Sequence, residues 1–215
     1  MIELHNIDCI EYLKTLEDNA FELAIVDPPY GIDADKNAYK NGINCKKNGF
    51  YEYKYSEWDN NIPNSNYFTE LFRVSVNQII WGGNYMTDFL PPSMCWLLWD
   101  KGQRNFSFAD GELAWTSFNK ALRIFTMSRG TALIDAKKNG GKLHPTQKPV
   151  KLYEWLLMNY AKNGDRILDT HLGSGAIAIA CHNLGFDLVG CELDTDYYNA
   201  ACKRLKQHQA QLTIF

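Results

Sequence analysis

Residues 167–192 place the strongest constraint on how this chain can fold. A short apolar strand leads into the loop Gly173-Ser174-Gly175, a helical segment follows over residues 176–184, and a second apolar strand ends at Glu192. A strand, a glycine loop, a helix and a strand that ends in an acid are typical of a βαβ unit with parallel strands. Glu192 follows the glycine loop at the sequence separation at which a carboxylate binds the ribose hydroxyl groups of a nucleotide. The segment therefore predicts an α/β fold.

A second stretch, Asp27-Pro28-Pro29-Tyr30, follows the apolar segment 21–26. The apolar segment predicts a buried strand, and two prolines cannot continue its ladder, so the chain turns where a carboxylate and a phenol emerge. Asp27 and the carbonyl of Pro28 can accept the two hydrogens of an amino group on a flat base, while Tyr30 stacks on the ring. An ordinary Asp-Pro turn would explain the same four residues without any chemistry.

Together, these two stretches resemble the amino-group DNA methyltransferases that use S-adenosylmethionine. In that family Asp-Pro-Pro-Tyr is the catalytic motif, and a Phe-x-Gly-x-Gly loop binds the cofactor. The resemblance implies that the catalytic residues are Asp27, Pro28, Pro29 and Tyr30. This chain departs from the family at His171, which replaces the Phe, and at Thr170, which replaces the usual Pro. An imidazole packs less well than a phenyl ring, so weaker cofactor binding is expected.

The resemblance also implies a set of cofactor contacts. Asp169 would lie near the methionine amino group, and the hexapeptide His144–Pro149 is similar to the family motif beside the methionine end. Asp8, at a strand-to-helix corner, matches an acid that contacts adenine, although with Glu11 it also fits a helix-capping pattern. The full set is Asp8, His144, Thr146, Lys148, Asp169, His171, Gly173, Gly175 and Glu192.

An uneven charge distribution suggests where double-stranded DNA would bind. The net charge is −3, yet residues 119–151 contain eight lysines and arginines and one aspartate. Such a segment suits a phosphate-facing surface or a solvated face. The family resemblance implies that residues 126–143 of this segment form a small basic target-recognition insert. Residues 31–61, outside the segment, are expected to form a mobile loop that contacts DNA. The candidate DNA-binding residues are Lys46, Lys47, Arg129, Lys137 and Lys138.

The order of the motifs predicts one catalytic domain over residues 1–215. A doubly wound sheet needs another strand beside the one that ends at Glu192, and the strand 4–7 can fill that place. The resemblance thus implies a circularly permuted, Rossmann-like S-adenosylmethionine-dependent methyltransferase fold, similar to the family's beta group. The sheet should be mostly parallel, with an antiparallel edge hairpin formed by segments 113–118 and 122–125.

By resemblance, the chain should transfer a methyl group to the amino group of adenine in DNA after base flipping, as a bacterial or phage adenine-specific enzyme of DNA modification. Asp27, rather than Ser or Asn, favours adenine over cytosine. A cytosine amino-methyltransferase stays open, as does an NAD-binding oxidoreductase, because Gly173-x-Gly175-x-x-Ala178 with Glu192 fits the dinucleotide fingerprint. A non-catalytic DNA-binding subunit is a further alternative. No Pro-Cys nucleophile is present, which argues against methylation of a ring carbon.

Further expectations concern partners and location. Residues Gln211–Phe215 resemble the pentapeptide that binds the bacterial sliding clamp, although an apolar terminus also packs on its own domain. A homodimer is a further possible assembly. The six cysteines form no Cys-x-x-Cys pair, so no metal site is expected. Without a signal-peptide pattern or an apolar run of membrane-spanning length, a cytoplasmic, nucleoid-associated protein is expected.

Overall fold

The structure is a computed structural model that describes residues 1–33, 59–105, 109–144 and 146–211. Within these residues, eight strands form one sheet. The strands are β1 (Ile2–Asn6), β2 (Phe21–Val26), β3 (Ser75–Trp81), β4 (Trp96–Asp100), β5 (Gly111–Thr116), β6 (Arg123–Thr126), β7 (Arg166–Asp169) and β8 (Asp187–Glu192). In the part of the chain described, no helix has the length and apolar character that crossing a membrane requires.

The strand order is β1-β8-β7-β2-β3-β5-β4-β6. Every neighbouring pair from β1 to β3 is parallel, β5 is antiparallel to both β3 and β4, and β6 is parallel to β4. Parallel strands end at one common edge, and β5 begins at that edge because it runs the other way. The residues that follow the other seven strands and the first residues of β5 therefore lie at the same edge of the sheet.

Six helices cover the two faces of this sheet in the described residues: α1 (Cys9–Leu13), α2 (Ser65–Val74), α3 (Arg129–Lys138), α4 (Val150–Tyr160), α5 (Ala176–Leu184) and α6 (Thr195–Gln209). Buried side chains of α1 and α2 pack on one face, and those of α4, α5 and α6 pack on the other. Helices on both faces explain why the central strands β2, β3 and β7 contain consecutive buried apolar residues, at positions 23–26, 79–81 and 167–168. The predicted α/β architecture is confirmed.

The N-terminal strand occupies the place that the permuted topology requires. β1 pairs in parallel with β8, with Leu4 opposite Gly190 and Asn6 opposite Glu192. The backbone N–H of Ile7 continues this pairing by donating to the carbonyl of Glu192. The prediction that an N-terminal strand completes the sheet beside the Glu192 strand is therefore confirmed.

The hairpin predicted from segments 113–118 and 122–125 is wrong in its pairing. β5 does form an antiparallel pair, but its hairpin partner is β4, and β6 crosses to the far side of β4. The physical reason lies in burial. Leu97 and Trp99 of β4 are buried, which suits an internal strand, whereas β6 is largely exposed and forms the edge.

Three local elements flank the strands. The basic connection 126–143 contains the regular helix α3, which begins because the Ser128 hydroxyl accepts a hydrogen bond from the N–H of Thr131 at 3.1 Å. A single 3₁₀ turn occupies Gly83–Tyr85. The helix α1 ends at Leu13.

Candidate active site

A cavity of about 640 Å³ opens at the edge of the sheet where the parallel strands end. Its walls include both sequence motifs, which we call the proline corner (Asp27–Tyr30) and the glycine loop (Gly173–Gly175). Tyr30 of the corner and Gly173 of the loop both line the cavity. Other predicted residues in the wall are Asp27, Pro28, Pro29, His144, Thr146, Lys148, His171 and Glu192. The topology thus joins two stretches that are more than a hundred residues apart into one site.

The proline corner is held by two carboxylates. The Tyr30 hydroxyl donates to Oδ1 of Asp27 at 2.7 Å, so the phenol and the acid of the motif are bonded to each other. Oδ1 of Asp59 accepts the backbone N–H groups of Tyr30 at 2.6 Å and Gly31 at 3.0 Å. Asp59 is only 1% exposed and lines the cavity, yet sequence reasoning missed it because nothing local marks it.

The Tyr30 ring is fixed by its neighbours. It stacks on Tyr85 with centroids 5.2 Å apart and an interplanar angle of 18°. Gly82 adopts φ +68°, and a Cβ there would lie against the ring, 2.7 Å from Cζ of Tyr30. Only glycine therefore allows this approach of the backbone to the ring. Tyr85, whose side chain is 45% exposed, thus covers one face of the ring that was predicted to stack on a target base.

Lys148 lies at the proline corner, beside Asp27 and Tyr30. Its Nζ is 2.5 Å from Oδ2 of Asp27 and donates to the Tyr30 hydroxyl at 3.1 Å. It is also 3.2 Å from Oε2 of Glu112, and its side chain is 1% exposed. Burial alone would lower the pKa of Lys148, but the two carboxylates more than offset it and hold the pKa above its ordinary value.

Glu112 and Lys101 are cavity residues that sequence reasoning did not identify. Glu112 is the second residue of β5, and its Oε1 accepts a hydrogen bond from Nζ of Lys101 at 2.6 Å. Burial would raise the pKa of Glu112, but the ammonium groups of Lys148 and Lys101 outweigh it and hold the pKa below its usual range. Burial raises the pKa of Asp27, and Lys148 offsets only part of this shift. Two carboxylates and two ammonium groups thus alternate along one wall.

The glycine loop is tied to the strand ends beside it. The N–H of Gly173 donates to Oε2 of Glu192 at 2.7 Å, and the N–H of His171 donates to Oδ1 of Asp169 at 3.0 Å. Asp169 is almost fully buried, and this burial raises its pKa to about 8. Gly175 adopts φ +70° to begin α5, and a Cβ there would lie 3.0 Å from that of Ala201. The lack of a side chain at Gly175 therefore allows α5 to pack closely against α6. Gly173, in contrast, lines the cavity.

His171, the departure from the family loop, is part of a polar chain. Its Nδ1 is 2.8 Å from the Thr170 hydroxyl, which is 2.7 Å from the hydroxyl of the buried Tyr67. Burial lowers the pKa of His171 to about 4, so the imidazole is neutral at neutral pH. The two residues that depart from the family pattern therefore bond to each other.

The remaining predicted cofactor residues separate into two groups. His144 and Thr146 line the cavity and bond to each other, with Oγ1 of Thr146 3.0 Å from Nδ1 of His144, and burial lowers the pKa of His144 to about 3. The carboxylate of Asp8 caps α1, because its Oδ1 accepts the N–H groups of Ile10 at 2.8 Å and Glu11 at 3.1 Å. Asp8 does not line the cavity.

The candidate DNA-binding residues of α3 are exposed. Arg129 lies at its start, and Lys137 and Lys138 lie in its last turn, where a positive charge complements the helix dipole. Lys46, Lys47 and most of the loop 31–61 fall outside the described residues. Among the residues that the structure describes, no group of three His, Cys, Asp or Glu side chains is arranged to hold a metal ion.

Comparison with known proteins finds similarity to DNA methyltransferases. Residues 129–203 match the family model described as DNA methylase. The type II methyltransferase M.HpaI of Haemophilus parainfluenzae is 25% identical over 92% of this chain and 72% of its own length. The type II methyltransferase M2.DpnII of Streptococcus pneumoniae is 27% identical over 79% of this chain and 57% of its length. Over most of its length, the chain is similar to DNA methyltransferases.

Solved structures of DNA methyltransferases share the fold. The M1.HpyAVI structure, a complex with S-adenosylmethionine (SAM), aligns over 95% of this chain and 99% of its own, with a TM-score of 0.60 and 21% identity. The cytosine-N4-specific PvuII methyltransferase aligns over 97% of this chain and 90% of its own, with a TM-score of 0.59 and 14% identity. Because these alignments span nearly the whole chain, the methyltransferase fold extends over it.

Proposed function

We propose that this protein transfers a methyl group from S-adenosylmethionine to the exocyclic amino group of adenine in DNA. The observation that carries the proposal is the single cavity shared by the Asp27–Tyr30 corner and the glycine loop at Gly173. A methyl donor held by the loop and an amino group held by the corner would meet in one enclosed space. The homologues named above are DNA methyltransferases, which supports the same reaction class.

The loop side of the cavity suits S-adenosylmethionine. Glu192 lies at the end of β8, where a carboxylate can accept hydrogen bonds from ribose hydroxyl groups. Asp169, which is buried and does not itself line the cavity, has a raised pKa that a nearby ammonium group of the methionine part would lower again. The bound cofactor supplies an electrophilic sulfonium methyl group. His144, Thr146 and His171 would complete the walls around it.

The corner side would activate the amino group. An amino nitrogen on an aromatic base is a poor nucleophile because its lone pair is delocalised into the ring. Asp27 and the carbonyl of Pro28 would accept its two hydrogens, which favours a pyramidal nitrogen that points its lone pair at the methyl group. Tyr30 would stack on the base once it has left the duplex, which offsets part of an unstacking cost of roughly a few kcal/mol.

A cytosine amino group is the second candidate substrate. The structural similarity to the cytosine-N4-specific PvuII methyltransferase favours it, because the same fold serves that base there. We prefer adenine because of the aspartate at position 27, on the resemblance to adenine-specific members of the family. Sequencing that detects modified bases, applied to DNA from cells that express the protein, would identify both the base and its sequence context.

The Asp27→Ala variant tests the assignment of the corner. We expect it to bind S-adenosylmethionine in a calorimeter as the wild type does, and to transfer no methyl group to DNA, because the acceptor for the amino hydrogen is gone. Asp88→Ala removes an exposed carboxylate away from the cavity and serves as the control. Methyl transfer by Asp27→Ala at the wild-type rate would refute the assignment.

The DNA surface is part of the proposal. The exposed residues Arg129, Lys137 and Lys138 of α3 would contact phosphates, with Lys46 and Lys47 of the loop 31–61. A single catalytic domain, a homodimer and binding of the sliding clamp stay predictions. The clamp motif begins at Gln211, and its last four residues lie outside the described part of the chain.

A further inference from the structure

Glu112 reaches the cavity through the direction of its strand. β5 runs antiparallel to β3 and β4, so its first residues lie at the edge where the other strands end. Its carboxylate lies between two ammonium groups, with Oε1 2.6 Å from Lys101 and Oε2 3.2 Å from Lys148. No element of the methyl-transfer scheme above uses this carboxylate.

Asp27 is engaged by the protein at both of its oxygens. Oδ1 accepts the hydroxyl of Tyr30, and Oδ2 is 2.5 Å from the ammonium group of Lys148. A carboxylate oxygen that is already close to an ammonium group is a weaker acceptor for another hydrogen, because the cation draws on the same electron density. A base amino group would therefore compete with Lys148 for Asp27.

We propose that Glu112 is a positioning residue that takes the ammonium group of Lys148 when a base enters, and so frees Oδ2 of Asp27 to accept a base hydrogen. This inference rests on the proposed function. The movement is small, because the ammonium group already contacts both carboxylates, at 2.5 Å and 3.2 Å. No covalent bond changes, and no proton needs to leave Lys148.

Burial explains why such a second anion is needed. The side chain of Lys148 is 1% exposed, so its charge cannot be hydrated when it moves away from Asp27. A buried ammonium group without a partner has a high free energy. Without a second carboxylate nearby, Lys148 would therefore remain paired with Asp27. The ammonium group of Lys101 in turn pairs with Glu112 and so weakens the attraction between Glu112 and Lys148. The position of Lys148 between Asp27 and Glu112 thus depends on the charges of both carboxylates and of Lys101.

Two variants change this balance in opposite directions. Glu112→Gln leaves Lys148 to Asp27 alone, so kcat should fall by roughly 10- to 100-fold while the KM for the cofactor stays the same. The acid limb of the kcat profile should shift to lower pH, because Asp27 loses the neighbouring negative charge of Glu112 and is then harder to protonate. Lys101→Met strengthens the hold of Glu112 on Lys148, so the limb should shift to higher pH.

The acid limb is assigned to Asp27 from its surroundings. The titratable groups that interact with Asp27 in the described residues are Lys148, Glu112, Tyr30, Tyr153 and Asp169. The two phenols have pKa values above their ordinary value and do not titrate in the acid range. Measuring kcat at saturating cofactor keeps the cofactor site beside the glycine loop occupied at every pH. Glu112→Asp retains the charge and should return the limb towards its wild-type position.

Glu70→Gln is the matched control. Glu70 is a similarly exposed carboxylate, 19% against 23% for Glu112, and it pairs with Arg73 outside the cavity. It should leave both kcat and the limb unchanged. If the wild type methylates DNA and Glu112→Gln behaves like Glu70→Gln, or if the Glu112 and Lys101 variants shift the limb in the same direction, the inference is wrong. If the wild type transfers no methyl group, the proposed function itself has failed.

Discussion

The contact between Gly82 and Tyr30 allows a sharp test of how the proline corner is held. Gly82 has φ +68° and ψ +17°, and a Cβ at this position would overlap the Tyr30 ring, with 2.7 Å to Cζ. Ordinary contacts between carbon atoms are about 3.5–4.0 Å, so the Gly82→Ala variant must move the ring by roughly 1 Å or more. The ring carries the hydroxyl that bonds to Asp27, so the corner would move with it.

Two separate costs are expected for Gly82→Ala. The left-handed backbone costs a residue with a Cβ about 1–2 kcal/mol of the free energy of unfolding. The displaced ring adds a further loss, and a misplacement of about 1 Å at a catalytic group lowers the methyl-transfer rate by on the order of 100-fold. Both quantities can be measured on one preparation, by chemical denaturation and by transfer of a labelled methyl group to DNA.

Gly185 provides the control, because its backbone is almost the same and its surroundings are empty. It has φ +75° and ψ +26° at the end of α5, and a Cβ there would meet no atom within 4 Å. Gly185→Ala should therefore show the backbone cost and keep the wild-type rate. If Gly82→Ala also keeps the wild-type rate and loses no more stability than Gly185→Ala, the ring is not held by this contact.

Two further predictions concern buried charges. The pKa of Asp169 is about 8 in the folded protein against about 4 in an unfolded chain, so its ionisation opposes folding increasingly as the pH rises from 4 to 8. Asp169→Asn should therefore raise the free energy of unfolding more at pH 8 than at pH 5, yet weaken S-adenosylmethionine binding in a calorimeter; equal stabilisation at both pH values would contradict this. Arg204 donates to the carbonyls of Asn139 at 2.6 Å and Ser174 at 2.8 Å. Arg204→Met should cost about 3 kcal/mol in denaturation experiments, and an unchanged stability would show that these bonds contribute nothing.

Several parts of the fold and site could be predicted because they depend on short stretches of chain. The apolar run before Asp27 and the glycine loop around Gly173 each encode a strand, its end and the next turn. Parallel strands present their ends at one edge, so placing Asp27, Asp169 and Glu192 near each other needed only the strand assignment. The N-terminal strand could be placed beside β8 by topology rules alone, and the structure confirms it.

Other parts could not be predicted, because they depend on pairings between distant segments. The hairpin prediction failed at β4, β5 and β6, whose sequence patterns indicate strands but not which strands become neighbours. Strand order is decided by how much apolar surface each arrangement buries, and no single segment contains that information. Asp59 escaped notice for the same reason, since its role arises from two backbone N–H groups at Tyr30 and Gly31.

The sequence by itself determined that this chain forms a mostly parallel α/β sheet with an acid-bearing proline corner and a glycine loop. The tertiary structure alone decided which charges surround the corner. Glu112 reaches Lys148 because β5 runs against its neighbours, and Lys148 turns to Asp27 because both are withdrawn from water in the same cavity. Local patterns encode where a strand begins and ends, whereas the partner of a buried charge depends on every segment that excludes water from it.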